Sequence, residues 1–456
     1  MDCLLINPPR EIPQRADFPP MGLAYIASCL KQSGIEACVL DASALSWEML
    51  RKMVSEKAPY IVGISCWTVE RGQSFKTARI VKETVPDVKI IIGGHHATAF
   101  PEHMFKLACA DVVVIGEGER TAVDLVRALL NNENLRKIKG IAHQEDGKVI
   151  ITQSRDFIED LDTIPLPSYD DFNFDKYLGL SETKGRTAAI ITSRGCSNKC
   201  VYCSASKFWK RKWRARSAKS VLDEIQWLYG DYSVKNFFFF DDNFTVRKER
   251  VMEICQGIME RKLDIKWVAE SHVTHIDKEV LICMKKSGCY RIDYGVESGS
   301  PKILENIKKN QTVEQIEEAF RLTYEVGINP RALLMVGNPG EDEITIDETI
   351  KLMRKINPYD SGGCQVLWIL PETEIYEMAK SKGLISDEYW ERNDSMVYYT
   401  GDYSVEELKL LRDKMIRGLA KNKGWVKGYR EYLVRMAYYK YPILQRMRKW
   451  RGIVGR

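Results

Sequence analysis

The chain has 456 residues, 45% apolar and 29% charged, a balance of globular domains and a length sufficient for two or three cores. No apolar run approaches the roughly eighteen residues of a membrane span, and the start, MDCLLINPPRE, lacks the basic region and long apolar stretch of a signal peptide. The expected location is therefore the cytosol, where the 12 cysteines stay reduced and do not form a disulfide framework.

The net charge of +5 is unevenly spread, since residues 401–456 hold fifteen Lys/Arg and five Asp/Glu. The tail thus carries +10 and the remainder −5, which excludes a chain-wide basic surface for nucleic acid.

Short β-branched runs recur through the first third: CLLIN (3–7), ACVLD (37–41), YIVGIS (60–65), KIIIGG (89–94) and DVVVIGEG (111–118). Amphipathic helical stretches such as MGLAYIASCLKQSG and QSFKTARIVKETV separate them, with Gly34 as a helix stop. Strand–helix alternation with near-continuous apolar strands predicts a parallel, doubly wound sheet. Ligands of such sheets bind beyond the carboxyl ends of the strands. Those ends carry Pro9, Ser65, Trp67, Gly93, Gly94, His95, Glu117 and Gly118. No G-x-G-x-x-G opens the first helix and no G-x-x-x-x-G-K-[ST] occurs, which disfavours dinucleotide and nucleotide triphosphate sites.

A stretch rich in turn residues, DLDTIPLPSYDDFNFDKYLG, leads to a second strand–helix series. Its strands are AAIITS (188–193), NFFFFD (236–241), IKWVAES (265–271), RIDYGVES (291–298), RALLMVG (331–337) and CQVLWIL (364–370). Six such repeats predict a full or partial barrel with its chemistry at the carboxyl ends of the strands. Directly after the first strand comes ITSRGCSNKCVYCSAS, in which Cys196, Cys200 and Cys203 have C-x3-C-x2-C spacing. The other nine cysteines are scattered and read as small buried hydrophobes. Three thiolates on one loop suit a 4Fe–4S cluster with one iron left open to an exogenous ligand. The alternative is zinc completed by a distant histidine.

The triplet, with Tyr202 as the aromatic of C-x3-C-x-aromatic-C, resembles the radical S-adenosylmethionine (SAM) superfamily. That resemblance implies that SAM chelates the open iron and is cleaved by one electron to methionine and a 5′-deoxyadenosyl radical. It also implies SAM contacts along the later strand ends: Asp241 and Asp242 of FFDDNFT to the methionine amine, Glu297 and Ser298 of YGVESGS to ribose or carboxylate, and Gly337 of VGNPGED near adenine. Taken alone, Asp-Asp after a strand is usually a helix cap.

The first third, with INPPR, PPMGLAYIASCLKQSGIEACVLDA, GGHHATAFPE and VIGEGE, is similar to the cobalamin-binding domain of one radical SAM class. That class contains C-methyltransferases and the anaerobic magnesium-protoporphyrin ester cyclase. The D-x-H-x-x-G element that supplies a cobalt-ligating histidine elsewhere is absent. Trp67 is then a candidate cover for the lower cobalt face, and His95 or His96 a contact to the nucleotide tail or a structural residue.

The organisation expected is α/β: a Rossmann-like cobalamin-binding domain at 1–140, a linker at 141–185, a partial (βα)6 radical SAM barrel at 186–395 and a basic helical region at 396–456. The activity expected is methylation of an unactivated carbon of a small-molecule or lipid-like substrate, served by an electron donor such as flavodoxin or ferredoxin. A cyclase, oxygenation or rearrangement enzyme on the same cobalamin chassis, a tRNA methylthiotransferase and a cobalamin or iron–sulfur sensor are the alternatives. The tail, KNKGWVKGYREYLVRMAYYKYPILQRMRKWRGIVGR, fits a helical subdomain, a membrane-surface helix or, third, an RNA contact. No nucleic acid is expected, since no recognised RNA-binding module accompanies it.

Overall fold

The computed structural model describes residues 1–420 other than 361–363 and 393–394. Its first sheet is built on β1 (Cys3–Asn7), β2 (Ala37–Asp41), β3 (Ile61–Ser65), β4 (Lys89–Gly93) and β5 (Val112–Val114), parallel and in the order β2-β1-β3-β4-β5. These strands read as unbroken apolar runs because helices cover both faces. Alternate side chains go to opposite faces. Leu5, Val39 and Ile91 meet Leu23, Ala27 and Leu125 of helices Met21–Gln32 and Gly118–Leu130. Leu4, Ile6, Val62 and Ile90 meet Leu50, Val54, Phe75 and Val81 of helices Trp47–Lys57 and Arg71–Thr84.

The sheet runs past residue 140. β6 (Ile141–Glu145) and β7 (Lys148–Ile151) extend it as an antiparallel hairpin on β5. Asp146 and Gly147 make the turn with φ of 49° and 75°, the left-handed pair that a two-residue hairpin requires. The first residues of the stretch read as a linker therefore belong to the first sheet.

The second sheet begins with β8 (Thr187–Ile190). Two short strands, β9 (Ser193–Arg194) and β10 (Arg214–Ala215), pair antiparallel beside it. β11 (Asn236–Phe239), β12 (Lys266–Ser271), β13 (Cys289–Glu297), β14 (Asn329–Val336) and β15 (Cys364–Val366) follow in spatial order from β8, all parallel. Six strands in sequence order with helices outside form the partial barrel. Phe237, Phe239, Trp267, Ala269, Ile292, Tyr294, Ala332 and Leu334 pack outward into one large core with those helices. The alternate positions, including Phe238, Val268, Glu270, Arg291, Asp293 and Arg331, consequently face the concave side.

Helix Val405–Ala420 packs Leu408, Leu411, Met415 and Ile416 into the same core. The basic stretch from Lys421 onward lies outside the described residues. No helix among the described residues is long and apolar enough to cross a membrane.

Candidate functional site

The loop between β8 and the cysteines is fixed from below by Asp241. Its carboxylate accepts hydrogen bonds from the Thr192 amide (2.7 Å), the Ser193 amide (3.0 Å), Ser193 Oγ (2.9 Å) and Thr192 Oγ1. It is buried and fully occupied, so it positions the loop and is not free to bind a methionine amine. Asp242 next to it accepts from the Gly195 amide at 2.9 Å and otherwise stands at the open face. Neither aspartate caps a helix; the following helix, Lys248–Glu260, has Arg247 at its N-cap. Gly195 has φ of 87°, and a Cβ there would lie 2.0 Å from the Lys212 carbonyl oxygen, so only glycine fits.

Cys196, Cys200 and Cys203 follow, all half-buried free thiols. The Val201 amide donates to the Ile307 carbonyl (3.1 Å), and the Ile375 amide donates to the Val201 carbonyl (3.0 Å). The loop is thereby tied to two other parts of the barrel. Burial pushes all three thiols up, and their mutual proximity adds to it. Asp242 raises Cys196 and Cys203, Glu297 raises Cys200, and Lys309 opposes at Cys196 and Cys200. Three adjacent sulfurs that resist ionisation in the absence of a cation are a donor set that releases protons on taking up metal. Among the described residues no group of three or more His, Cys, Asp or Glu side chains is placed to hold a single metal ion. Three thiols at C-x3-C-x2-C spacing on one strand-end loop fit an iron–sulfur cluster.

Glu297 ends β13 in the left-handed region (φ 63°), where the register with β14 shifts. The ammonium of Lys309 donates to Glu297 Oε1 (3.0 Å) and to the Tyr202 hydroxyl (3.2 Å). Burial keeps the Tyr202 phenol well above its ordinary range. The Lys309 carbonyl lies 3.0 Å from His272 Nε2. Cys200, Tyr202, Glu297 and Lys309 thus form one electrostatic unit. Lys309 was not among the sequence-derived candidates: a lysine in IKKNQT reads as a solvated turn residue.

Further down the concave face, Arg291 pairs with Asp293 (2.8 Å) and Glu182 (2.7 Å), and Arg331 lies 3.5 Å from Asp293. Burial, with Asp293 adding to it, pushes the Glu270 carboxyl up to about 7.

Two other expected SAM contacts serve the scaffold. Ser298 is fully buried, with Oγ 3.2 Å from Thr349 Oγ1 and accepting from the Ser300 amide. Gly337 turns the chain at φ 84° and lies beneath Leu408, where a Cβ would come within 2.9 Å of Leu408 Cδ2. Its amide donates to Glu341 Oε2 (2.6 Å). A buried hydroxyl or a glycine turn at a strand end has the same sequence signature whether it meets a ligand or its own scaffold.

On the other side of the cleft, Gly94 (φ 112°) brings the start of helix His95–Ala99 against Cys66, whose carbonyl oxygen a Cβ would meet at 2.8 Å. Gly93 precedes it at the end of β4. Trp67, 49% exposed, stacks on His95 with ring centroids 4.6 Å apart, and His95 stacks on Phe208 at 4.0 Å. Phe208 belongs to helix Ser204–Phe208, which starts directly after Cys203. Burial drives His95 down to about 4 and His96 to about 3, so both are neutral. His96 turns inward, its Nδ1 3.3 Å from Thr68 Oγ1. Ser65 accepts at its carbonyl from Ser74 Oγ (2.8 Å), Pro9 is buried, and Gly118 opens helix Gly118–Leu130 against Ile26.

Glu117 differs from the expectation. Its carboxylate accepts from Arg194 Nη1 (2.7 Å), Arg214 Nη1 (2.9 Å) and the Ile158 amide (2.8 Å), and Arg194 also pairs with Glu119. These side chains are all buried, so Glu117 locks the two sheets together and is not available to a corrin. The ion pairs and the aromatic stack set the carboxyl ends of β3, β4 and β5 against the cysteine loop at the carboxyl end of β8.

Three soft donors at a barrel strand end, facing the ligand edge of a doubly wound sheet, define a radical SAM enzyme carrying a second cofactor domain. The model of the Radical SAM superfamily matches residues 190–353, and that of the B12 binding domain matches residues 14–126. The chain belongs to the family of radical SAM enzymes with a B12-binding domain. It is 33% identical over 442 residues to an uncharacterized methyltransferase of Pyrococcus horikoshii, covering 95% of each chain. It is 29% identical to the anaerobic magnesium-protoporphyrin IX monomethyl ester cyclase of Rubrivivax gelatinosus, over 96% of this chain and 78% of that one. The fold is shared with the radical SAM methyltransferase TsrM of Kitasatospora setae, at TM-score 0.70 and 17% identity, over 83% of this chain and 76% of that one.

Proposed function

We propose that this enzyme methylates an unactivated carbon of a small, partly apolar molecule, using cobalamin, a 4Fe–4S cluster and SAM in one cleft. The observation that carries this reading is the Trp67–His95–Phe208 stack, which joins the ligand edge of the first sheet to the helix that follows Cys203. When bound, the cluster and SAM supply a carbon-centred radical and cobalamin supplies the methyl group. Cys196, Cys200 and Cys203 hold the cluster. Asp242 and the Glu297–Lys309–Tyr202 unit are assigned to orienting SAM above it, through charge-assisted contacts to its ammonium, carboxylate or ribose.

The Gly93–Gly94 turn, Ser65 and Trp67 are assigned to cobalamin, where a close backbone and a flat ring suit a corrin edge and face. Phe238 and the exposed Phe240, flanked by Phe18, Leu180 and Val268, give the cleft an apolar wall. That wall keeps water from a reacting carbon and receives an apolar part of the substrate. The reading requires an external one-electron donor and suits a cytosolic enzyme.

The test is anaerobic reconstitution of the wild type and of the Cys196→Ala/Cys200→Ala/Cys203→Ala variant. The wild type should hold about four irons per chain and form 5′-deoxyadenosine from SAM, and the variant neither. Cleavage of SAM by the variant would sink the cluster assignment. The likeness to the cyclase supports a second reading on the same cofactors, and 5′-deoxyadenosine formation without methyl transfer would favour it.

A further inference from the structure

We infer that the exposed turn Lys207–Lys212 beside the cysteine loop is the docking surface for a small acidic one-electron carrier. This rests on the radical SAM reading above and adds to it the place where the electron enters. From Thr183 to Leu222 the chain has eleven Lys/Arg and no Asp/Glu, although the whole chain is nearly balanced at 68 against 63. Three of those cations, Arg194, Arg214 and Arg216, are buried and matched by Glu117, Glu119 and Glu224. Lys199, Lys207, Lys210, Arg211 and Lys212 are exposed. Among the described residues only Lys212 of these five forms an ion pair, a 3.4 Å contact between two well-exposed side chains, with Glu159.

The turn is a built feature. Lys210 and Arg211 both take the left-handed conformation (φ 49° and 58°), which two consecutive non-glycine residues seldom share. It is held by amide hydrogen bonds from Lys210 to Lys207, Arg211 to Ser206 and Lys212 to Trp209, each 2.9 Å. Its inner edge abuts the cluster loop, with the Lys212 carbonyl against the Cα of Gly195, the residue bonded to Cys196. A partner seated on the cations is therefore separated from the cysteine loop by a single backbone layer. The concave side of the barrel is reserved for SAM and substrate, so an electron must enter from such an outer face. One electron leaves the carrier and one enters the cluster, with no bond made or broken. The excess of exposed cations around the entry point steers an acidic carrier to it and raises its association rate.

The same cations would attract RNA or an anionic membrane, but the surrounding groups favour the carrier. Phe208 and Trp209 are half-buried and already engaged, on His95 and under Arg214, so neither is a fully exposed ring of the kind on which bases stack. No large apolar side chain is exposed between Leu178 and Phe240, so nothing there would insert into a bilayer.

The test compares the cluster-loaded wild type with Lys210→Gln/Arg211→Gln/Lys212→Gln. Purified flavodoxin serves as the acidic carrier and dithionite as a small reductant that needs no docking. The expected result is about tenfold weaker flavodoxin binding and equally slower cluster reduction by reduced flavodoxin, with flatter salt dependence. Iron content and reduction by dithionite should not change. The charge-keeping variant Lys210→Arg/Arg211→Lys/Lys212→Arg should behave as wild type.

Unchanged flavodoxin binding by the neutral variant would overturn the inference. So would weakening in the charge-keeping variant as well, or binding of an RNA oligonucleotide or phosphatidylglycerol vesicles in place of flavodoxin. A wild type that cleaves no SAM even with dithionite would fail the underlying enzyme reading instead.

Discussion

Replacing Glu117 with Gln tests whether this carboxylate joins the two domains or binds the cofactor. In the wild type it neutralises Arg194 and Arg214 at 2.7 and 2.9 Å, and its side chain is 4% exposed. Removing its charge leaves Arg214 without its ion-pair partner and Arg194 with Glu119 alone, among side chains no more than 9% exposed. Breaking a buried pair in this way costs about 3–5 kcal/mol, or roughly two to three and a half powers of ten in the population of the opened interface.

The assay is hydrogen–deuterium exchange over residues 155–160 and 191–216. Their amides should exchange about a hundredfold to a thousandfold faster, while the core strand Leu4–Ile6 should not change. Burial raises the Glu117 carboxyl, but Arg214, Arg194 and the Ile158 amide overcome this and hold it below its usual 4.5. A depressed folded value means stability present above about pH 4.5 and lost as pH falls through the folded value. Glu117→Gln should abolish that acid loosening. Unchanged exchange together with lost cobalamin binding would refute the locking role and make Glu117 a direct cofactor contact.

Gly195→Ala should prevent cluster incorporation, because its Cβ would fall 2.0 Å from the Lys212 carbonyl oxygen at a φ of 87°; iron content with retained far-UV circular dichroism checks this. Glu270→Gln should stabilise the protein at pH 8 by up to about 3 kcal/mol, since a folded value of about 7 against 4.5 destabilises the ionised form. The gain should shrink as pH falls from 7 and vanish below about 4.5, as read by urea unfolding; an equal gain at pH 4 and 8 would contradict it. His95 is held in a ring stack between Trp67 and Phe208, and His96 is turned inward onto Thr68, so paramagnetic resonance of the bound cob(II)alamin should show no nitrogen splitting, and its presence would refute this.

The strands of both sheets were legible because parallel strands buried on both faces must be apolar throughout. The cysteine loop was legible because ligand spacing is a local property of the chain. The hairpin of β6 and β7 was equally legible in Asp146-Gly147, yet composition drew the stretch toward a linker. What sequence could not separate was two uses of one residue type at a strand end. Asp241 and Ser298 sit where a ligand contact would, but their oxygens are taken by backbone amides and neighbouring hydroxyls. Glu117 has partners 77 and 97 residues away, and Lys309 acts only through the fold that brings it to Tyr202 and Glu297. Long-range partners leave no mark in a local pattern.

The most direct test of the central claim is the fate of the methyl group of SAM. Holoenzyme is incubated anaerobically with reductant and methyl-deuterated SAM, and the extracted cobalamin and nucleosides are analysed by mass spectrometry. Methyl transfer predicts a trideuteromethyl group on cobalamin with an equal amount of S-adenosylhomocysteine, and 5′-deoxyadenosine formation that depends on Cys196, Cys200 and Cys203. Abundant 5′-deoxyadenosine with unmethylated cobalamin and no S-adenosylhomocysteine would contradict it.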